Sequence, residues 1–213
     1  MSALLIYPDS EEARERAAEV VAAGGIVAFR TDTFYGLGAD PFNTEALGAL
    51  NELKGRDGKP ILVLVSDPEV VERLAAHRTR AFHALAAHKW PGALTLVVAA
   101  RREVPELLTA CTGTVGVRLP DDESARAVAR ACGGVLTATS ANPAGRTPAR
   151  TATEAARYFP RGLGLVIDGG VSRSDLPSTV LEVSGDRPRL IREGVVRRGE
   201  IEEALKSINA TLE

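Results

Sequence analysis

KGRDGKPILVLV, residues 54–65, joins a Gly/Pro turn carrying three cations to five consecutive apolar residues. An apolar run without polar alternation reads as a strand covered on both faces, the situation of strands in sheets flanked by helices. Upstream, Leu47, Leu50 and Leu53 recur at helical spacing. A helix over residues 44–54 therefore delivers Lys54 and Arg56 to a turn at the strand entrance.

Outward from this junction the same alternation continues. Asp9 and Glu12 stand at capping-box spacing before an Ala/Val-rich helix that stops at Ala23, ahead of Gly24 and Gly25. The strand IVAFR (residues 26–30) follows, then the loop TDTFYGLGAD (31–40). Downstream the pattern predicts helices over 68–76 and 80–89, strands LTLVV (94–98) and VGVR (115–118), and a helix over 124–131. The strand VLTAT (135–139) leads into SANPAGRTP (140–148), whose Pro and Gly density forbids regular structure. A helix over 153–158, strands LVIDGG (165–170), STVLEV (178–183) and RLIR (189–192), and a closing helix over 200–208 complete the chain. Helix and strand alternate, with strands in succession near the end. The expected architecture is α/β: a mixed parallel and antiparallel twisted open sheet flanked by helices, in one domain over residues 1–213.

Composition bounds the function classes. The 213 residues are 45% apolar and 25% charged, with a formal net charge of −2 and 4% aromatics. That balance argues against a protein coated in polyanion, and the few aromatics argue against a dedicated nucleic-acid binder. No apolar run approaches the roughly 18 residues of a membrane span, and no leader pattern is visible, so the cytoplasm is the expected location. Cys111 and Cys132 stand alone, without metal-ligand spacing, and are expected to be buried small apolar residues. His77, His83 and His88 are expected on solvated helix positions, and no resident metal site is expected.

Lys54 and Arg56 have two readings: solvated cations at a helix C-terminus, or part of an anion site. Arg118 closes VGVR and Arg192 closes RLIR, and strand ends are where α/β proteins gather binding groups. Ser140 and Asn142 sit just beyond a strand, as an ordinary Ser/Asx turn or as a loop for phosphate or ribose. Gly36 and Gly38 form a lone GxG too sparse for a dinucleotide fingerprint. Ser178 and Thr179 open a strand and serve at least as β-formers. Asp121, Asp122 and Glu123 read as a helix N-terminal cluster, with Arg126 and Arg130 on a solvated face.

Taken in order, TDTFYGLGAD, KGRDGKPILVLV, KWPGALTLVV, TVGVRLP, TSANPAGRTP, IDGG, STVLEV and RLIREG resemble the successive motifs of the YrdC/Sua5 family of threonylcarbamoyl-AMP synthases, over about residues 25–201. The family's KxR and SxN pattern is met by Lys54, Arg56, Ser140 and Asn142. The chain stops soon afterwards, so the additional carboxy-terminal domain of the longer Sua5 forms is expected to be absent. The resemblance implies a YrdC-like sheet with a cationic concave face. It implies a nucleotidyltransferase that condenses L-threonine, bicarbonate and Mg²⁺-bound ATP for the t6A modification of tRNA. A threonylcarbamoyl transferase complex is the implied partner, tRNA contact is indirect, and no membrane is involved.

Carried over by position, the resemblance places threonine against Thr33, Arg118, Ala138 and Ser178. The nucleotide falls against Arg56, Lys59, Thr114, Ser140, Asn142 and Arg192, with Lys54 and Arg56 in the catalytic role. Departures are Arg30 for a common proline, Leu64 for a histidine of the Sua5 forms, Pro177 for a common acidic residue, and a KGRDGKP turn one residue short. Lys59 is expected to fill the polar position this vacates. Two other functions fit the same residues: an RNA-binding module, and a paralogue making a different carbamoyl-adenylate.

Overall fold

The structure is a computed structural model that describes residues 6–55, 58–185 and 187–213; Arg56 lies outside the described residues. In chain order the elements are β1 (Ile6–Pro8), α1 (Glu11–Ala22), β2 (Val27–Arg30), β3 (Tyr35–Gly38), α2 (Thr44–Lys54) and β4 (Val63–Val65). After a 3₁₀ helix (Pro68–Arg73) come α3 (Arg80–Lys89), β5 (Leu94–Ala99), α4 (Glu106–Thr109), β6 (Thr114–Arg118), α5 (Glu123–Ala131) and β7 (Val135–Thr137). The last third holds β8 (Thr139–Ser140), α6 (Ala152–Tyr158), β9 (Leu165–Asp168), β10 (Thr179–Glu182), β11 (Arg189–Arg192) and α7 (Arg198–Lys206).

The mixed α/β class holds, but the strands divide between two sheets. One has the order β1-β9-β2-β3-β8, the other β11-β10-β5-β6-β4-β7, and each contains both parallel and antiparallel neighbours. The residues 135–139, expected as one strand, are where the chain changes sheet. β7 pairs antiparallel with β4, Ala138 donates its N–H to the Leu62 carbonyl at 2.9 Å, and β8 pairs antiparallel with β3.

Alternation along β2 shows how the faces are used. Val27 and Phe29 pack under α1 and α5 with Leu165 and Ile167, whereas Ala28 faces the larger core shared with β4, β5 and β6. Leu64, the fourth residue of ILVLV, is fully buried in the α1/α5 cluster. Its neighbours Val63 and Val65 join the larger core, so this strand is indeed covered on both sides.

Several local expectations change. The cap of α1 is Ser10, whose hydroxyl accepts from Ala13 N; Asp9 instead pairs with Arg14 at 2.8 Å and accepts from Ser124 on α5. Part of the expected loop 31–40 is the strand β3, the 68–76 helix is a 3₁₀ helix, and β1 and α4 carried no clear pattern. Cys111 is exposed and Cys132 half-buried, so neither is a buried core residue. His77, His83 and His88 are exposed as expected, but only His83 and His88 lie on a helix, α3, while His77 falls in the connection before it.

Candidate active site

A cavity of about 510 Å³ opens where the two sheets meet, beside the crossing at Ala138. Helix α2 stands behind one wall and reaches it through the loop after β8. Asn43 caps it by accepting from Glu45 N and Ala46 N, and Gly55 stops it in the left-handed region at φ 60°. Lys54, in the last turn, is 4% exposed; its ammonium donates to the Ser140 carbonyl and, at 2.8 Å, to the Asn142 carbonyl. It thus fixes the loop after β8 by its backbone, with its charge facing carbonyl dipoles.

That loop divides its duties. Ser140 lines the cavity, paired in register with Gly36 on β3. Asn142 does not line it; its amide nitrogen donates to the carbonyls of Pro143 at 3.0 Å and Arg146 at 2.6 Å, closing the turn. Asn142 Oδ1 is buried with no hydrogen-bond partner among the described residues.

Thr33, Arg118, Ala138, Ser178 and Arg192 also line this cavity. Arg118, Ser178 and Arg192 arrive from strand ends along one edge of the second sheet, Ala138 from the crossing and Thr33 from the loop after β2. In register, Arg192 at the end of β11 faces Val180, and Leu94 at the start of β5 faces Thr179, so Ser178 and Arg192 share that edge. Arg118 closes β6, whose Val117 faces Leu96 of β5. Arg118 is 3% exposed. Its guanidinium lies 2.9 Å from Asp32, out of hydrogen-bond alignment, and donates to Thr33 Oγ1 at 3.4 Å; its Nε is buried without a partner among the described residues. A buried guanidinium with an unused donor is costly unless a ligand completes it.

Arg192 reaches in from the rim and donates to the Ser178 carbonyl at 2.9 Å. Burial of its guanidinium, together with the charge of Arg118, lowers its pKa from the ordinary arginine value. Two guanidiniums facing one hollow, with Asp32 against Arg118 and the rim carboxylate of Asp175 already paired to Arg150, favour an anionic guest.

Thr114 does not line this cavity. It faces an adjoining hollow of about 430 Å³ that shares Pro60, Leu62 and Arg192 with the first. The two hollows run together along the sheet, long enough for a guest larger than an amino acid. Lys59 is exposed and borders neither. Among the described residues, no group of three or more His, Cys, Asp and Glu side chains is placed to hold a metal ion.

Sequence reasoning missed Asp32, Thr31 and Asp175. Asp32 holds Arg118 and accepts from Asp121 N at 3.3 Å; the only local signal was an acidic residue beside Thr33. Thr31 Oγ1 lies 3.1 Å from Thr33 Oγ1 and donates to the Phe34 carbonyl at 2.7 Å, setting the turn that presents Thr33. Asp175 sits on the rim, ion-paired to Arg150.

The Sua5_yciO_yrdC family model, described as Telomere recombination, matches residues 19–194. The threonylcarbamoyl-AMP synthase of Thiobacillus denitrificans is 38% identical over 162 residues, covering 76% of this chain and 86% of that protein. The enzyme of the same name from Bacillus subtilis is 33% identical over 196 residues, 91% of this chain and 57% of that one, so the chain spans little more than half the length of this relative. Among solved structures, P. abyssi Sua5 complexed with L-threonine superposes with a TM-score of 0.90 at 31% identity, covering 99% of this chain and 62% of that chain.

Proposed function

The chain belongs to the Sua5/YciO/YrdC family, and from that premise we propose that it is an L-threonylcarbamoyl-AMP synthase, acting in the cytoplasm to supply a tRNA-modifying transferase. The observation that carries the reading is the convergence of Arg118, Arg192, Thr33, Ser178 and Ser140 on one cavity at the join of the sheets. A carboxylate, a carbamate and a triphosphate cannot share a site without donors from several directions, and these residues supply them.

In this reading Arg118 takes the threonine carboxylate with the fork that Asp32 leaves open, Ser178 adds a donor to it, and Thr33 seats the rest of the amino acid. The nucleotide extends past Ser140 and Arg192 toward Thr114. Mg²⁺ travels with ATP as part of that substrate, and the family resemblance assigns Arg56 to the nucleotide. Lys54 acts from behind, through the Ser140 loop. The threonine amine adds to bicarbonate with loss of water, giving a carbamate. A carbamate oxygen then attacks the α-phosphorus, the bond to the bridging β-phosphate oxygen breaks, and pyrophosphate leaves. Positioning and charge stabilisation do the catalysis, and no covalent link to the protein forms.

The test is pyrophosphate release from ATP, Mg²⁺ and labelled bicarbonate with each amino acid in turn. Threonine-dependent release, with label recovered in the adenylate, is the expected outcome. Release indifferent to threonine would indicate the paralogue, and salt-sensitive RNA binding without release would indicate the RNA module.

A further inference from the structure

Thr95, on β5, is fully buried, yet its hydroxyl lies 3.0 Å from Ser178 Oγ on the cavity wall. By distance alone either oxygen could donate. Burial decides between them. A threonine hydroxyl has one proton and two lone pairs, and among the described residues Thr95 Oγ1 has no other hydrogen-bond partner. Thr95 borders the adjoining hollow but has no exposed surface there, so were Ser178 the donor the Thr95 proton would be left without an acceptor, an arrangement folded proteins avoid. Thr95 therefore donates, Ser178 accepts, and the Ser178 proton is left to turn toward the cavity. There it joins Arg118 and Arg192, which also present donors.

The rotamer that allows this has room on the other side. The Thr95 methyl packs toward Gly116 on β6, where a Cβ would stand 3.3 Å from Thr95 Cγ2. With the methyl on that side, Oγ1 points across to the start of β10, which runs parallel to β5 with Thr179 opposite Leu94.

We propose that Thr95 is a positioning residue for the amino-acid subsite: it orients the Ser178 hydroxyl as a donor to the substrate carboxylate. The inference rests on the threonine reading above. Its test compares Thr95→Val, which keeps the shape and removes the hydroxyl, with Thr95→Ser, Ser178→Ala and the Thr95→Val/Ser178→Ala double variant. Thr95→Val should raise KM for threonine about tenfold, the effect of one hydrogen bond to a charged group, and change KM for ATP by less than about twofold. Thr95→Ser should restore the threonine KM. In the Ser178→Ala background Thr95→Val should add nothing further, because the group it orients is already gone.

Equal rises in both KM values, independent multiplication of the Thr95 and Ser178 effects, or an unchanged threonine KM in Thr95→Val would each overturn the inference while leaving the synthase reading standing. If the unsubstituted protein shows no threonine-dependent release, the synthase reading fails and the inference falls with it.

Discussion

Lys54 turns its ammonium onto the carbonyls of Ser140 and Asn142, so its influence on the cavity passes through the shape of a loop. Lys54→Met keeps the stem and leaves both carbonyls without that donor, which should cost about 1–3 kcal/mol of stability. Thermal melting should therefore drop together with a rise in KM for ATP. A variant that melts like the parent but loses kcat would instead place the ammonium on the reacting phosphates. Arg118 and Arg192 were legible because each closes a strand, whereas Thr33 and Ser178 came into view only through the family resemblance. The partners of these residues were not legible. Nothing local to TDTF says that Asp32 meets an arginine at the end of a strand in the other sheet, and nothing in KGRDGKP says that Lys54 faces carbonyls. Pairing across distant segments is a property of the packed chain.

Among the elements, those with a strong period were readable to the residue: α2 and α3 end where the leucine spacing and the cap residues place them. Those that break a rule were hidden. β3 carries Gly36 and Gly38, which argue for a loop, yet a side chain at Gly38 would collide with Leu136 at 2.7 Å. The glycine is there for close packing. Gly194, in RLIREG, follows the same logic, since a Cβ there would run into the carbonyl oxygen of Pro177 and stand 2.8 Å from the Ser178 carbonyl. Gly194→Ala must push Pro177 and Ser178 out of the cavity wall. The expected result is a rise in KM for threonine of about tenfold or more with a lowered melting temperature, a displacement of backbone being costlier than loss of one contact. Parent-like threonine kinetics in that variant would show that the wall does not depend on this turn.

At the scale of the whole molecule, carboxylates tie elements together and set the acid limit of the fold. Asp9 is pushed up by burial, but the hydrogen bonds from Arg14 and Ser124 outweigh this and hold it below the usual carboxylate range. Arg189 lowers Glu182 across β10 and β11, and Lys89 lowers Glu200 between α3 and α7. A folded pKa below the unfolded one contributes stability that is present above the unfolded value, roughly pH 4, and lost as pH falls through the folded value. Melting temperature should accordingly be level from about pH 8 to 5 and fall below about pH 4, with added salt shrinking the part due to the more exposed Glu182 and Glu200 pairs. A melting temperature that declines already between pH 7 and 5 would contradict this. The division into two sheets was the least legible feature, because residues 135–139 read as one strand and only the Ala138 crossing shows otherwise. That crossing has a thermodynamic corollary. Thr33 and Ser140 belong to one sheet while Arg118, Ser178 and Arg192 belong to the other, so a guest touching both acts as a clamp between two framed halves. Any fixing of that gap by one guest lowers the cost that the other meets. Cooperativity of this kind is reciprocal: the factor by which nucleotide tightens amino acid must equal the factor by which amino acid tightens nucleotide.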